Sequence, residues 1–153
     1  MNIFVVDSSP IKCAEYLDDI RLNKMILETV QMLSIPFEGP YKETHKNHPC
    51  SLWIRECSEN LGWALRYLGA LHDEYRSRRS REHLSYTKFC EHVEDSEDLK
   101  QVRNTALNSK DPKAFCNCSR YKEESNVFVA YKKTLADKWE EDKRAPTWRG
   151  VER

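Results

Sequence analysis

Glycine is scarce in this chain, with four in 153 residues, and they form no phosphate-cradling loop. There is no G-x-S-x-G elbow and no H-E-x-x-H pair of histidines. These gaps argue against P-loop nucleotide hydrolysis and α/β-hydrolase chemistry. No window approaches the roughly 18 to 20 apolar residues that a membrane span needs. The opening "MNIFVVDSSP" has neither a basic region nor a long apolar run, so no signal peptide is expected. Net charge is absent too: 25 Lys and Arg balance 25 Asp and Glu. That balance disfavours a generic polyanion-coating role and leaves room for local patches.

What is present fits a folded domain. Hydrophobic residues make up 39% and charged residues 33%, a polar but globular profile. The length suits one domain, residues 1–153, able to bury a core. The six cysteines (Cys13, Cys50, Cys57, Cys90, Cys116, Cys118) read as thiols in an unexported, cytoplasmic chain.

The pattern predicts an all-α, single compact domain with a short N-terminal extended segment, residues 2–6. Ser9 with Pro10 marks a helix start. Ile20, Met25, Ile26, Val30 and Leu33 recur at helical spacing, and the acidic pair at 18–19 can cap a second helix. Residues 35–49 read as loop. Another helix starts at Asn47 or His48 with Pro49 in its first turn. Ser58 caps a long helix striped by Leu61, Leu65, Leu68, Leu71 and Tyr75, widened by Trp63 and Tyr67. Weaker helices are expected at 85–93 and 96–107, a loop over 108–125, and a final helix from Asn126 before a coil.

Four groups of residues carry possible chemistry. His45, His48 and Cys50 have ligand types suited to zinc. A fourth ligand and sharp Cys-x2-Cys spacing are missing, and Cys116-x-Cys118 is an unusual pair. No metal and no cofactor are therefore expected. Arg21, Lys24 and Glu28 lie on one helical face, either as a solvated salt-bridged surface or as a cationic site with a carboxylate. Residues 74–83 combine Tyr75, Arg76, Arg78, Arg79, Arg81 and His83, which can grip phosphates and stack on a base, unless the acidic run 91–98 neutralises them. Trp148 can staple the C-terminus or stack on an unpaired base.

The strings "MNIFVVDSSPIKCAEYLDDIRLNKMILETVQMLS", "YKETHKNHPCSLWIREC", "LHDEYRSRRSREH" and "DKWEEDKRAPTW" resemble a group of bacteriophage proteins described as pyrimidine-dimer DNA glycosylases of the endonuclease V type. The resemblance implies a small helical enzyme that cuts the glycosylic bond at a pyrimidine dimer and then the backbone. It implies an amine nucleophile, from Met1 or Lys24, and a carboxylate, Glu28 or Asp19. Arg21, His45, His48, Tyr75, Arg78, His83 and Trp148 are then the DNA-contacting residues. The implied partner is duplex DNA, damaged or modified, bound by a monomer with no membrane. Two other readings stand beside it. One is a non-catalytic nucleic-acid-binding or host-defence-interacting protein on the same fold, and the other is an enzyme acting on nucleotides or modified bases.

Overall fold

In the computed structural model, residues 2–94, 97, 100–101, 104 and 111–150 are described. Six helices are found among them, and no strand: α1 (Pro10–Tyr16), α2 (Asp19–Leu33), α3 (Pro49–Glu56), α4 (Ser58–Arg79), α5 (Leu84–Glu94) and α6 (Val127–Glu141). This is the all-α architecture that the sequence predicts. The expected helix at 96–107 falls mostly outside the described residues.

Local chemistry sets most of the boundaries. The Ser9 side chain accepts from the Lys12 amide, and Pro10 sits where no amide partner is needed. α1 gives way to α2 because Asp18 is extended and its carboxylate accepts from the Arg21 amide. At α3 the cap is His48, whose ring nitrogen accepts from the Cys50 amide at 3.1 Å. Asn126 caps α6 through the amides of Phe128 and Val129. At α4 the structure departs from expectation. Cys57 is the capping residue, it makes no side-chain cap bond, and Ser58 is the first helical residue.

α4 is the central element, packing against α1, α2 and α3, while α2 also meets α3 and α5. Its stripe holds, with Trp63, Leu65, Tyr67, Leu68, Leu71 and Tyr75 buried. α2 contributes Leu22, Met25, Ile26, Val30 and Leu33 to the same core. Each such apolar side chain is worth about 1.5–3 kcal/mol when fully buried. Helix propensity alone contributes far less, so packing holds these helices in place.

Residues 3–6 run through this core with Ile3, Phe4, Val5 and Val6 all buried, and the expected extended segment is broken by a left-handed turn at Phe4, φ 38°. A buried backbone needs partners for its amides. Asn2 supplies them, its Oδ1 accepting from Ile3 N at 2.8 Å and Phe4 N at 3.4 Å.

Candidate functional site

Polar groups gather where the start of the chain, α2 and the N-terminus of α3 come together. Asn2 is the hub. Its Nδ2 donates to the Cys118 carbonyl at 3.2 Å, and its Oδ1 also lies 3.8 Å from Cys50 Sγ. Residue 2 is thereby fixed against α3 and against a loop more than a hundred residues away. Met1 itself lies outside the described residues.

Glu28 is half-buried on the middle of α2. Its charge acts on two neighbours, His48 and Tyr67. Burial pushes His48 below its ordinary value, with Cys118 and Glu28 pulling the other way. Tyr67 is fully buried, its hydroxyl has no hydrogen-bond partner among the described residues, and burial holds it protonated far above the usual tyrosine range. Cys13, Cys50 and Glu28 are the charges that it senses. Four predicted or adjacent groups, Asn2, Glu28, His48 and Cys50, therefore share one neighbourhood. Lys24, one turn before Glu28, is exposed.

A thiol cluster forms the floor of this neighbourhood. Cys50 Sγ lies 3.4 Å from Cys118 Sγ and 3.8 Å from Cys116 Sγ, and the last two are 3.9 Å apart. The ligand atoms of His48, Cys50 and Cys118 all lie within 4.8 Å of one another. Hydrogen bonds from Cys116 and Cys50 hold the Cys118 thiol well below the usual range, while Cys50, paired with Cys116 and Cys118 and buried, is pushed far up. Two further thiols, Cys116 and Cys118, thus reach Cys50 from 66 and 68 positions away. His45 stays outside the cluster. It is exposed, in a left-handed turn at φ 52°, and its carbonyl accepts from His48 N at 3.0 Å.

The remaining predicted residues serve the fold. Asp19 is buried and accepts from Thr147 Oγ1 at 2.6 Å, Arg78 Nη1 at 3.2 Å and Arg149 N at 3.3 Å. Burial would raise its carboxyl, yet these donors outweigh it and hold it below its ordinary value. Arg78 is turned inward, also donating to the carbonyls of Leu17 and Glu15 and to Glu74. Arg21 forks onto Asp142 at 2.7 and 3.1 Å and touches Asp18. Tyr75 is buried, with its hydroxyl accepting from Arg81 at 3.2 Å and its ring 5.0 Å from His83. His83 caps α5 by accepting from Ser85 N at 3.1 Å. Trp148 donates to the Tyr16 carbonyl at 3.2 Å and packs edge-on against Trp139. These contacts staple the C-terminal tail to α1 and α6. Arg78 and Tyr75 are thus buried in the wall of the fold.

Positive charge collects elsewhere, with two of its members already paired: Arg21 onto Asp142 and Arg120 onto Glu141. Burial lowers Lys138 on α6, and the nearby Arg120, Arg21 and Lys24 lower it further, so these cations share one surface, partly offset by Asp142 and Glu141.

Fold and site define a helical protein with a half-buried carboxylate near the entry of its own chain and a group of cations around α6. The chain belongs to the pyrimidine dimer DNA glycosylase family, whose model matches residues 1–87. The match takes in Glu28, Lys24 and His48, and ends before Cys116, Cys118 and α6. No curated protein and no solved structure matches the chain. No helix among the described residues is long and apolar enough to cross a membrane.

Proposed function

We propose that the chain excises damaged pyrimidines from duplex DNA as a monomer and then cleaves the abasic strand as a lyase. Glu28 is the carboxylate, and the nucleophile is the amine of Met1 or of Lys24. One observation carries this reading: Asn2, the residue next to Met1, is pinned to Cys118 and Cys50 at the helix start that His48 caps, and the Glu28 charge acts on His48. Family membership supports DNA as the substrate.

The chemistry follows from an amine and a carboxylate alone. The amine attacks C1′ as the glycosylic bond breaks; the departing base takes up a proton and the amine gives one up. Opening of the sugar ring turns the C1′ adduct into an imine. Loss of a C2′ proton then expels the 3′ phosphate, and water releases the amine. Glu28 stabilises the cationic C1′ centre and accepts a proton. Lesions favour the reaction because a damaged base costs less to unstack.

Of the two acidic candidates, Asp19 is held by donor groups from the tail and α4, and the carboxylate role goes to Glu28, half-buried on α2 where its charge acts on His48. Lys24 and Lys138 supply phosphate contacts beside it. Arg21 contributes charge through its place in that surface, not as a free fork.

The test is borohydride trapping on a duplex carrying a thymine dimer or an abasic site, read by mass spectrometry. A covalent adduct mapping to Met1 or Lys24 is expected. Intact duplex binding with no adduct on either substrate would overturn the lyase reading and point to the non-catalytic or modified-base alternatives.

A further inference from the structure

We propose that Cys50, Cys116, Cys118 and His48 bind one zinc ion as a tetrahedral site that ties the 111–125 loop to the start of α3. The proposal is independent of the glycosylase reading. It rests first on distance. Zinc–sulfur bonds of about 2.3 Å at tetrahedral angles place the sulfurs about 3.8 Å apart. The three Sγ–Sγ separations here are 3.4, 3.8 and 3.9 Å. A disulfide needs about 2.05 Å and joins only two of the three sulfurs. The His48 ring nitrogen lies within 4.8 Å of the Cys50 and Cys118 sulfurs, and Cys116 joins this trio through its two sulfur contacts.

Second, the ligands are held by a set of side-chain hydrogen bonds from other parts of the fold. The Tyr131 hydroxyl accepts from Cys118 N at 3.0 Å and donates to the Cys116 carbonyl at 3.0 Å. Asn2 holds the Cys118 carbonyl from the opposite side. Trp53 Nε1 donates to the Ala114 carbonyl at 3.1 Å, and Asn60 Oδ1 accepts from Lys113 N at 2.9 Å. The Cys-x-Cys backbone is thus positioned by side chains from α3, α4 and α6. Such an outer shell fixes ligand orientation in metal sites. Cys50 and His48 are fixed in turn by the helix start, Pro49 between them.

Third, the segment needs a fastener. Residues 111–125 carry no helix or strand, yet Cys116 and Cys118 sit against the buried Cys50. One metal ion would add four bonds between the start of α3 and this loop, beside the packing of Phe115 on Trp53 and Trp63. On binding, each thiol releases its proton to solvent and ligates as thiolate, while His48 ligates as the neutral ring. Zinc is favoured over harder cations because three of the four donors are sulfur.

The experiment uses the full chain, purified under reducing conditions, loaded with zinc and freed of excess by gel filtration. Elemental analysis is expected to find one zinc per chain. Cobalt(II) loaded in its place should show the visible bands and sulfur charge transfer of a tetrahedral thiolate complex. Cys116→Ser and Cys118→Ser should lose the metal, and Cys57→Ser and Cys90→Ser should keep it. Absence of retained zinc, an octahedral cobalt spectrum, or a Cys50–Cys118 disulfide in the zinc-loaded protein would overturn the proposal, as would full retention in both of the first two variants. Where a serine variant does not fold, the wild-type cobalt spectrum decides alone.

Discussion

Arg78 Nη1 lies 3.2 Å from Asp19 Oδ1, and the two side chains are 1% and 3% exposed. This pair joins the end of α4 to the start of α2, and Thr147 and Arg149 bring the C-terminal tail onto the same carboxylate. Removing one member of a buried ion pair leaves the other uncompensated, at a cost of about 3–5 kcal/mol. Arg78→Ala should therefore lower the unfolding free energy by about 3 kcal/mol in urea titration. A loss below about 1 kcal/mol, the range of a surface pair, would mean that the network is not what holds these elements together.

The same pair makes a pH prediction. The folded protein holds the Asp19 carboxyl below its ordinary value, so the unfolded chain binds the proton more readily. Asp19 therefore contributes its full stabilisation above the unfolded carboxylate pKa of about 3.9 and loses it as pH falls through the lower folded value. Asp19→Asn should be less stable at neutral pH and show a flatter stability profile in that acid range. Parallel acid profiles for the two proteins, measured by denaturant midpoint, would refute the assignment.

These residues also show what the sequence could and could not disclose. Helix starts at Ser9, Asp18 and His48 were legible because capping is settled within three or four residues. Arg78 was read as part of an arginine patch, yet it continues the buried spacing of Leu71 and Tyr75 along α4. Extending that stripe by one step would have shown it turned inward. Asp19 and Glu28 looked equivalent because their difference comes from Thr147 and Arg149, over a hundred positions on. Likewise Cys116-x-Cys118 appeared isolated because its partners lie near residue 50, and no local rule joins the two stretches.

Catalysis should separate the two carboxylates. Glu28→Gln is expected to lower dimer excision by roughly 10²- to 10⁴-fold while duplex affinity changes little. A folded Asp19→Asn should retain excision. Single-turnover rates on a thymine-dimer duplex make the comparison, and the reverse pattern would move the carboxylate role to Asp19.

Lys24 faces solvent among Arg21, Lys138 and Asp142, where a phosphate can reach it. If it contacts one phosphate, Lys24→Ala should reduce the slope of log affinity against log salt by about 0.9. Arg79 offers a comparison on α4. An unchanged slope in the Lys24 variant would place the DNA path away from α2.

Tyr131 ties the loop geometry to the thiol cluster most directly. Its hydroxyl is the shared partner of the Cys118 amide and the Cys116 carbonyl, inside a side chain that is 0% exposed. Tyr131→Phe keeps the ring packing and strands both backbone groups, which should cost about 1–3 kcal/mol of stability. Because those groups aim the two sulfurs, the same change should weaken zinc about 10- to 100-fold in competition with a chromophoric chelator. Stability lost with zinc affinity unchanged would show that the loop is set by packing and that the sulfurs find the ion without the hydroxyl's guidance.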